Sequence, residues 1–297
     1  GRAETDGAYI FTVGESSLDV STGRGDDKFI LESILDSSDS IDGGDGADSI
    51  QFTDGNGADD DLNNVKNIEK IILGDAVTSI VATDDLLSSG GQLELDASAL
   101  TIAHGLNYDA SAETDGHYLV TAGLGNDRLV LGAGDDIINM SSHLTQADEI
   151  DGGAGEDRLI LKDNDENNDY LDSVRNIEII ELENSATTIA TIDALVAENA
   201  RIFFDASKLT SENNLNLKAS EESDGHYQVH AGLGNDIIQL GTGNDIVNFG
   251  QGLNSLDEVS GGLGEDELIY RDSNEASDEL KNVKGFEKII LEDAITD

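Results

Sequence analysis

The segment Gly152-Gly153-Ala154-Gly155-Glu156-Asp157-Arg158-Leu159-Ile160 constrains the chain more than any other. It reads G-G-x-G-x-D-x-U-x, with U a large apolar residue, and each fixed position has its own physical task. The glycines permit a tight turn with positive φ and leave main-chain carbonyls uncovered. Asp157 adds a carboxylate to that oxygen-rich corner, and Leu159 opens a short strand whose alternate side chains enter a core. Carbonyls plus a carboxylate suit a hard cation; calcium, which takes about six to eight oxygens in flexible geometry, is the obvious one.

Recurrence separates design from chance. Gly43-Gly44-Asp45-Gly46-Ala47-Asp48-Ser49-Ile50-Gln51 and Gly261-Gly262-Leu263-Gly264-Glu265-Asp266-Glu267-Leu268-Ile269 have the same form. Weaker copies end in Asp27, Asp127, Asp136, Asp236 and Asp245. On these residues the chain resembles the RTX family, whose calcium-binding β-helix repeat has this consensus. The nonapeptides cover roughly a third of the chain.

A second period organises the first. Glu4-Thr5-Asp6-Gly7, Glu113-Thr114-Asp115-Gly116 and Glu222-Ser223-Asp224-Gly225 are each offset by 109 residues, as are Asp48, Asp157 and Asp266. The sequence thus reads as repeat units 1–112, 113–221 and 222–297, the last truncated. Beginning and stopping inside a repeat, it has the form of a segment cut from a longer tandem array, with further repeats as its neighbours. Within the middle unit the aspartates fall at 127, 136, 148 and 157; the third unit repeats them at 236, 245, 257 and 266. Each is followed two residues later by an apolar side chain, so one short strand is expected per turn. A three-residue insertion is expected to bulge as a loop at Met140-Ser141-Ser142-His143-Leu144 and at Phe249-Gly250-Gln251-Gly252-Leu253. In the first unit, Gly14-Glu15-Ser16-Ser17-Leu18 lacks the Gly and Asp of its counterpart, which weakens any ion site at that end.

Candidate metal ligands follow. In the first unit they are Gly23, Gly25, Asp27, Asp39, Gly44, Gly46 and Asp48. In the second they are Gly123, Gly125, Asp127, Gly132, Gly134, Asp136, Asp148, Gly153, Gly155 and Asp157, and in the third Gly232, Gly234, Asp236, Gly241, Gly243, Asp245, Asp257, Gly262, Gly264 and Asp266. Asp39, Asp148 and Asp257 sit in glycine-poor loops, where an ordinary Asp turn is an equal alternative. With two strands per coil, Asp127 should stack near Asp148 and Asp136 near Asp157, an ion bridging each pair.

Between nonapeptide blocks the chain stays strand-like. Ile68–Leu73, Ile177–Leu182 and Phe286–Leu291 read as buried strands, joined by Gln92–Asp96, Arg201–Asp205, Leu106–Asp109 and Leu215–Lys218. Thr191–Asn199 could make one helical turn with Asp193 as N-cap. Short strands without hairpin signals imply an all-β fold, a parallel β-roll or right-handed β-solenoid. At ~4.8 Å between paired strands it would form a rod of about 70 Å.

Charge narrows the function. With 63 acidic against 16 basic residues, the formal net charge is -47. Nucleic acid and anionic membranes are poor partners, since binding there starts with positive charge meeting phosphate, and neither nucleic-acid binding nor membrane insertion is expected. Bound cations answer the self-repulsion. With no Cys, neither disulfides nor thiol-ligated metal can hold the fold. No apolar run approaches the roughly 20 residues that span a bilayer, and the N-terminus lacks a basic-then-apolar signal. If each site gains ~1.4 kcal/mol at tenfold excess of calcium, about six sites would supply ~8 kcal/mol, the stability of a whole domain. The metal-free chain is therefore expected to be largely unfolded.

Other motifs are weaker. Asp54, Asn56 and Asp60, with Asp163, Asp165, Asp169 and Asp272, Asn274, Asp278, hint at an EF-hand loop but lack its central Gly and terminal Glu; acidic surface turns fit better. Gly-x-Gly running into Asp would repel a phosphate. His117 and His226 read as solvated or packing residues. No nucleophile triad stands out, and every feature occurs two or three times, whereas a catalytic centre is unique.

The RTX resemblance implies a bacterial protein exported by type I secretion and folded outside the cell on meeting millimolar calcium. It implies a calcium-rigidified segment of a secreted or cell-surface protein, an adhesin stalk or S-layer-like array. A carbohydrate-binding or enzyme-accessory module, with cell-surface glycans as partners, is the alternative; its aromatic platform would have to come from residues such as Tyr118 and Tyr227.

Overall fold

Apolar residues at every second position, interrupted by glycine corners, give strands too short and too regularly turned to form hairpins. The computed structural model describes residues 8–13, 17–31, 35–53, 62–141, 143–162, 169–271 and 280–292. It shows an all-β solenoid in which every registered strand pairing is parallel. The chain divides into two compact units, one comprising Gly1–His143 and Ala147–Asp157, the other Leu144–Gln146 and Arg158–Asp297.

In the first unit the strands alternate between two sets. One set runs Ile10–Val13, Lys28–Leu31, Ser49–Phe52, Lys70–Leu73, Gln92–Asp96, His117–Thr121 and Ile137–Ser141, each beside the next. The other set comprises Asp19–Ser21, Ser40–Asp42 and Val65–Lys66, and then Thr78–Val81, Leu106–Asp109, Arg128–Val130 and Glu149–Asp151. The second unit repeats the scheme. Arg158–Leu161, Ile179–Leu182, Arg201–Asp205, His226–His230, Ile246–Gly250, Glu267–Tyr270 and Lys288–Leu291 form one set. Asp169–Tyr170, Thr187–Ala190, Leu215–Lys218, Ile237–Gln239, Glu258–Ser260 and Val283–Lys284 form the other. Each coil is therefore strand, corner, strand, corner.

Coil length varies with the corners. Equivalent positions are 21 residues apart within a nonapeptide block, 18 where a block begins and 28 where a longer loop intervenes. Pairing continues through both repeat boundaries, with Tyr118 beside Leu93 and His226 beside Arg201. The residues two after each turn aspartate, Leu129, Ile138, Ile150, Leu159, Ile238, Val247, Val259 and Leu268, are at most 1% exposed. They form the core between the strand sets, stacked coil on coil.

Four expectations need correction. The loop does not yet start at Met140 or Phe249, because both are buried at strand ends. In the second copy the register slips across Phe249, between Asn248 and Gly250, and Gly250 takes φ +52°. The third predicted buried strand, Phe286–Leu291, is found as Lys288–Leu291, with a described partner on one side alone, and Ile289 and Leu291 stay exposed. Asp193 does not cap a helix. It is the first residue of a 3-10 turn, Asp193–Leu195, whose N-cap is Ile192, and its carboxylate reaches Ser223 instead. Tyr118 and Tyr227 are buried, so neither offers an exposed aromatic platform. The EF-hand-like acids lie outside the described residues, save the backbone of Asp169 in its short strand.

Candidate metal centre

The corners explain why glycine recurs at fixed places. Gly153 has φ +97°, and a Cβ there would strike the carbonyl oxygen of Gly132 one coil earlier. A Cβ on Gly155 would meet the carbonyl of Gly134. The same encounter joins Gly44 to Gly23, Gly46 to Gly25, Gly262 to Gly241 and Gly264 to Gly243. At the start of each block, Gly134 and Gly243 meet the carbonyls of Gly116 and Gly225, while Gly125 and Gly234 meet those of His104 and Asn213. Gly123 and Gly232 lie over Leu100 and Leu209, and Gly132 and Gly241 over the carbonyls of Glu113 and Glu222. Only hydrogen fits at these positions, and the space left free is lined by main-chain oxygen.

Carboxylates line the same corners in two ladders. The Oδ1 of Asp48 accepts the amide of Asp27 at 2.7 Å, and Asp157 accepts that of Asp136 at 2.8 Å. Asp266 accepts the amide of Asp245 at 2.9 Å. Below them, Asp27, Asp136 and Asp245 accept the amides of Tyr9, Tyr118 and Tyr227. On the other edge, Asp148 accepts from Asp127 and Asp257 from Asp236, each at 2.7 Å. Asp127 and Asp236 in turn accept from Leu106 and Leu215. Asp127 and Asp148 are thus stacked, as are Asp136 and Asp157. In the first unit the second ladder stops at Leu18, which has no carboxylate and donates its amide to Asp39.

The second carboxylate oxygen divides the aspartates. Oδ2 of Asp27, Asp48, Asp127, Asp136, Asp236, Asp245 and Asp266 is buried with no hydrogen-bond partner. Among the described residues no Lys or Arg forms an ion pair with any of these seven. In Asp39 and Asp257, by contrast, Oδ2 accepts a local amide, from Asp36 at 3.0 Å and from Asn254 at 2.6 Å. Those two are satisfied turn formers within the glycine-poor loops.

Burial without counter-charge is costly for a carboxylate. Desolvation pushes Asp48, Asp127 and Asp236 up to about 6, and Asp136 and Asp245 up to about 7. It also raises Asp257 and Asp266. Carboxyl oxygens without partners, beside carbonyls in a space a methyl group would fill, fit an all-oxygen hard cation. That donor set gives calcium charge neutralisation and flexible coordination at once.

These features define a class: a parallel β-solenoid repeat whose corners are built for calcium. Residues 119–139, 144–163 and 228–256 match the family model of the RTX calcium-binding nonapeptide repeat, in 4 copies. Searches of curated proteins and of solved structures each gave no match. The nonapeptides and the parallel solenoid together fit an RTX β-roll repeat region, a calcium-binding structural segment. Repeats of this family are structural and occur typically in secreted proteins. Among the described residues no helix is long and apolar enough to cross a membrane.

Several participants escaped the sequence reading. Glu69 and Glu287 extend the first ladder, their Oε2 accepting the amides of Asp48 and Asp266 at 2.7 and 2.8 Å. Their signal was in the spacing, since each lies 21 residues after a turn aspartate. His117 and His226 are built into the corners, each Nδ1 accepting the amide of Asp135 or Asn244 at 2.9 Å. Asp135 and Asn244 pass the same contact to Glu156 and Glu265.

Proposed function

We propose that the chain is a calcium-rigidified spacer of a secreted or cell-surface bacterial protein, an adhesin stalk or S-layer-like array, which folds when it meets calcium outside the cell. The observation that carries the reading is the set of seven buried, uncompensated Oδ2 atoms at stacked glycine corners. Asp27, Asp48, Asp127, Asp136, Asp236, Asp245 and Asp266 supply the carboxylates, with Asp157 by its equivalent place in the ladder. The glycine carbonyls beside them complete the shell. Asp39, Asp148 and Asp257 hold the loops in register. The 109-residue unit is then a unit of sequence rather than of folding, since strand pairing runs through its boundaries.

In cytosol poor in calcium the uncompensated charge keeps such a chain extended, which suits type I export. The test is a calcium titration of the full chain followed by far-UV circular dichroism. A cooperative gain of strand signal at millimolar calcium is expected, reversed by EDTA. A spectrum indifferent to calcium would sink the proposal.

A further inference from the structure

The Glu222-Ser223-Asp224-Gly225 corner lies directly before a nonapeptide block and belongs to no nonapeptide. Glu222 is only 2% exposed. Its Oε1 accepts the amides of Ser223, Asp224 and Gly225 at 3.0, 3.0 and 2.7 Å, which fixes the carboxylate in place. Its Oε2 is buried and has no partner. Asp193, from the 3-10 turn one coil earlier, comes to the same place and accepts the amide and hydroxyl of Ser223 at 2.8 and 2.6 Å. Asp224 completes the group. One carboxylate oxygen from each of Asp193, Glu222 and Asp224 lies within 4.8 Å of the others.

We infer that Asp193, Glu222 and Asp224 form a further calcium site, separate from the nonapeptide corners, that clamps the coil carrying Asp193 to the one that starts the block. Calcium holds its oxygens at about 2.4 Å, so oxygens on opposite sides of one ion are ~4.8 Å apart and three in this cluster can share it. Among the described residues no basic side chain forms an ion pair with any of the three. Glu222 is the decisive member: its backbone contacts occupy one oxygen and leave the other, buried and without a partner, for a cation. Asp193 and Asp224 are exposed, so water supplies the remaining ligands from the open side.

The copy 109 residues earlier repeats the framework. Glu113 Oε1 accepts the amides of Thr114, Asp115 and Gly116, its Oε2 is likewise buried without a partner, and Asp84 accepts both groups of Thr114. Glu222 also touches the nonapeptide block, since its carbonyl accepts the amide of Thr242 at 2.9 Å. The clamp therefore ties the end of an intervening segment to the glycine corner at residues 241–245.

The test counts calcium bound to the full chain at saturation, by equilibrium dialysis and elemental analysis, in wild type, Glu222→Gln, Asp193→Asn and Asp224→Asn. Gln keeps the Oε1 acceptor and removes the charge. Each variant should lose one ion with an unchanged strand spectrum, and combining Glu222→Gln with Asp193→Asn should lose that same ion. An unchanged count in both Asp193→Asn and Asp224→Asn, which lie on the surface and leave the core intact, would overturn the inference. Asp245→Asn in parallel reports the nonapeptide ladder, and because Glu222 also repels Asp245 the surface variants Asp193→Asn and Asp224→Asn are what distinguish failure here from failure there.

Discussion

Corners of two kinds carry the same stack of strands. In the intervening coils the corner is Asp-Ala-Ser: Asp96 Oδ1 accepts the amide and hydroxyl of Ser98 at 3.1 and 2.6 Å, and Asp109 does the same with Ser111. Ala97, Ala110 and Ala206 fill the inside of the bend and are fully buried. Acids there find cations within the protein, half-buried Glu94 with Lys70, and buried Glu181 with Arg158 and Lys208. In the nonapeptide corners glycine stands where these corners have serine, Gly123 against Ser98 and Gly132 against Ser111, and the second oxygen of seven buried aspartates has no hydrogen-bond partner. The strands are alike, so the difference lies wholly in the corner: one kind closes with the chain's own atoms and the other keeps buried carboxylate oxygens that no group of the chain contacts by a hydrogen bond.

The contrast breaks most sharply at the ladder aspartates. Replacing Asp136 and Asp245 together by Asn should lower the calcium-loaded stability by ~3 kcal/mol, about 1.4 for each tenfold loss of ion affinity. In EDTA it should raise the residual strand signal, because two buried charges are gone. Asp96→Asn, in the other kind of corner, should leave calcium binding unchanged. Thermal melts in calcium, circular dichroism in EDTA and equilibrium dialysis read the three in turn.

Acidification tests the same point with the sign reversed between states. The aspartates raised to about 6 or 7 prefer their protonated form in the metal-free fold. That preference stabilises the metal-free fold fully below about pH 4 and is lost as pH rises through 6 to 7. In EDTA the chain should therefore be more structured near pH 5 than near pH 8. Calcium affinity should move the opposite way, falling as protons compete below about pH 7. A dialysis series across that range checks both.

Glycine substitutions sharpen the comparison. Gly153→Ala combines φ +97° with a collision against the Gly132 carbonyl and should cost about 2 kcal/mol or more in calcium. Gly90→Ala, at φ +70° in open space within an intervening coil, should cost about 1 kcal/mol. The smallest effect is expected at the surface pair: Lys70→Met should change stability by less than ~0.5 kcal/mol and leave the ion count alone.

Much of this was legible in the residues. Leu129, Ile138 and their equivalents named the core because strand alternation and the turn period act on neighbouring residues. The stacking of Asp136 on Asp157 followed from coil length. What stayed hidden depends on contacts between coils. Nothing local marks Glu69 as the next rung after Asp48, or separates Asp257, whose second oxygen takes the Asn254 amide, from Asp245, whose second oxygen takes none. Tyr118 and Tyr227 precede charged corners and look exposed in sequence, yet their rings lie inside the stack.

The most direct measurement is amide hydrogen exchange of the full chain near pH 8, in calcium and in EDTA. In calcium, the amides of Asp27, Asp127, Asp136, Asp236 and Asp245, each bonded to a carboxylate one coil further on, should exchange slowly. In EDTA they should lose that protection together. If they stayed protected with every cation removed, calcium would be an ornament of the fold and the account of these corners would be wrong.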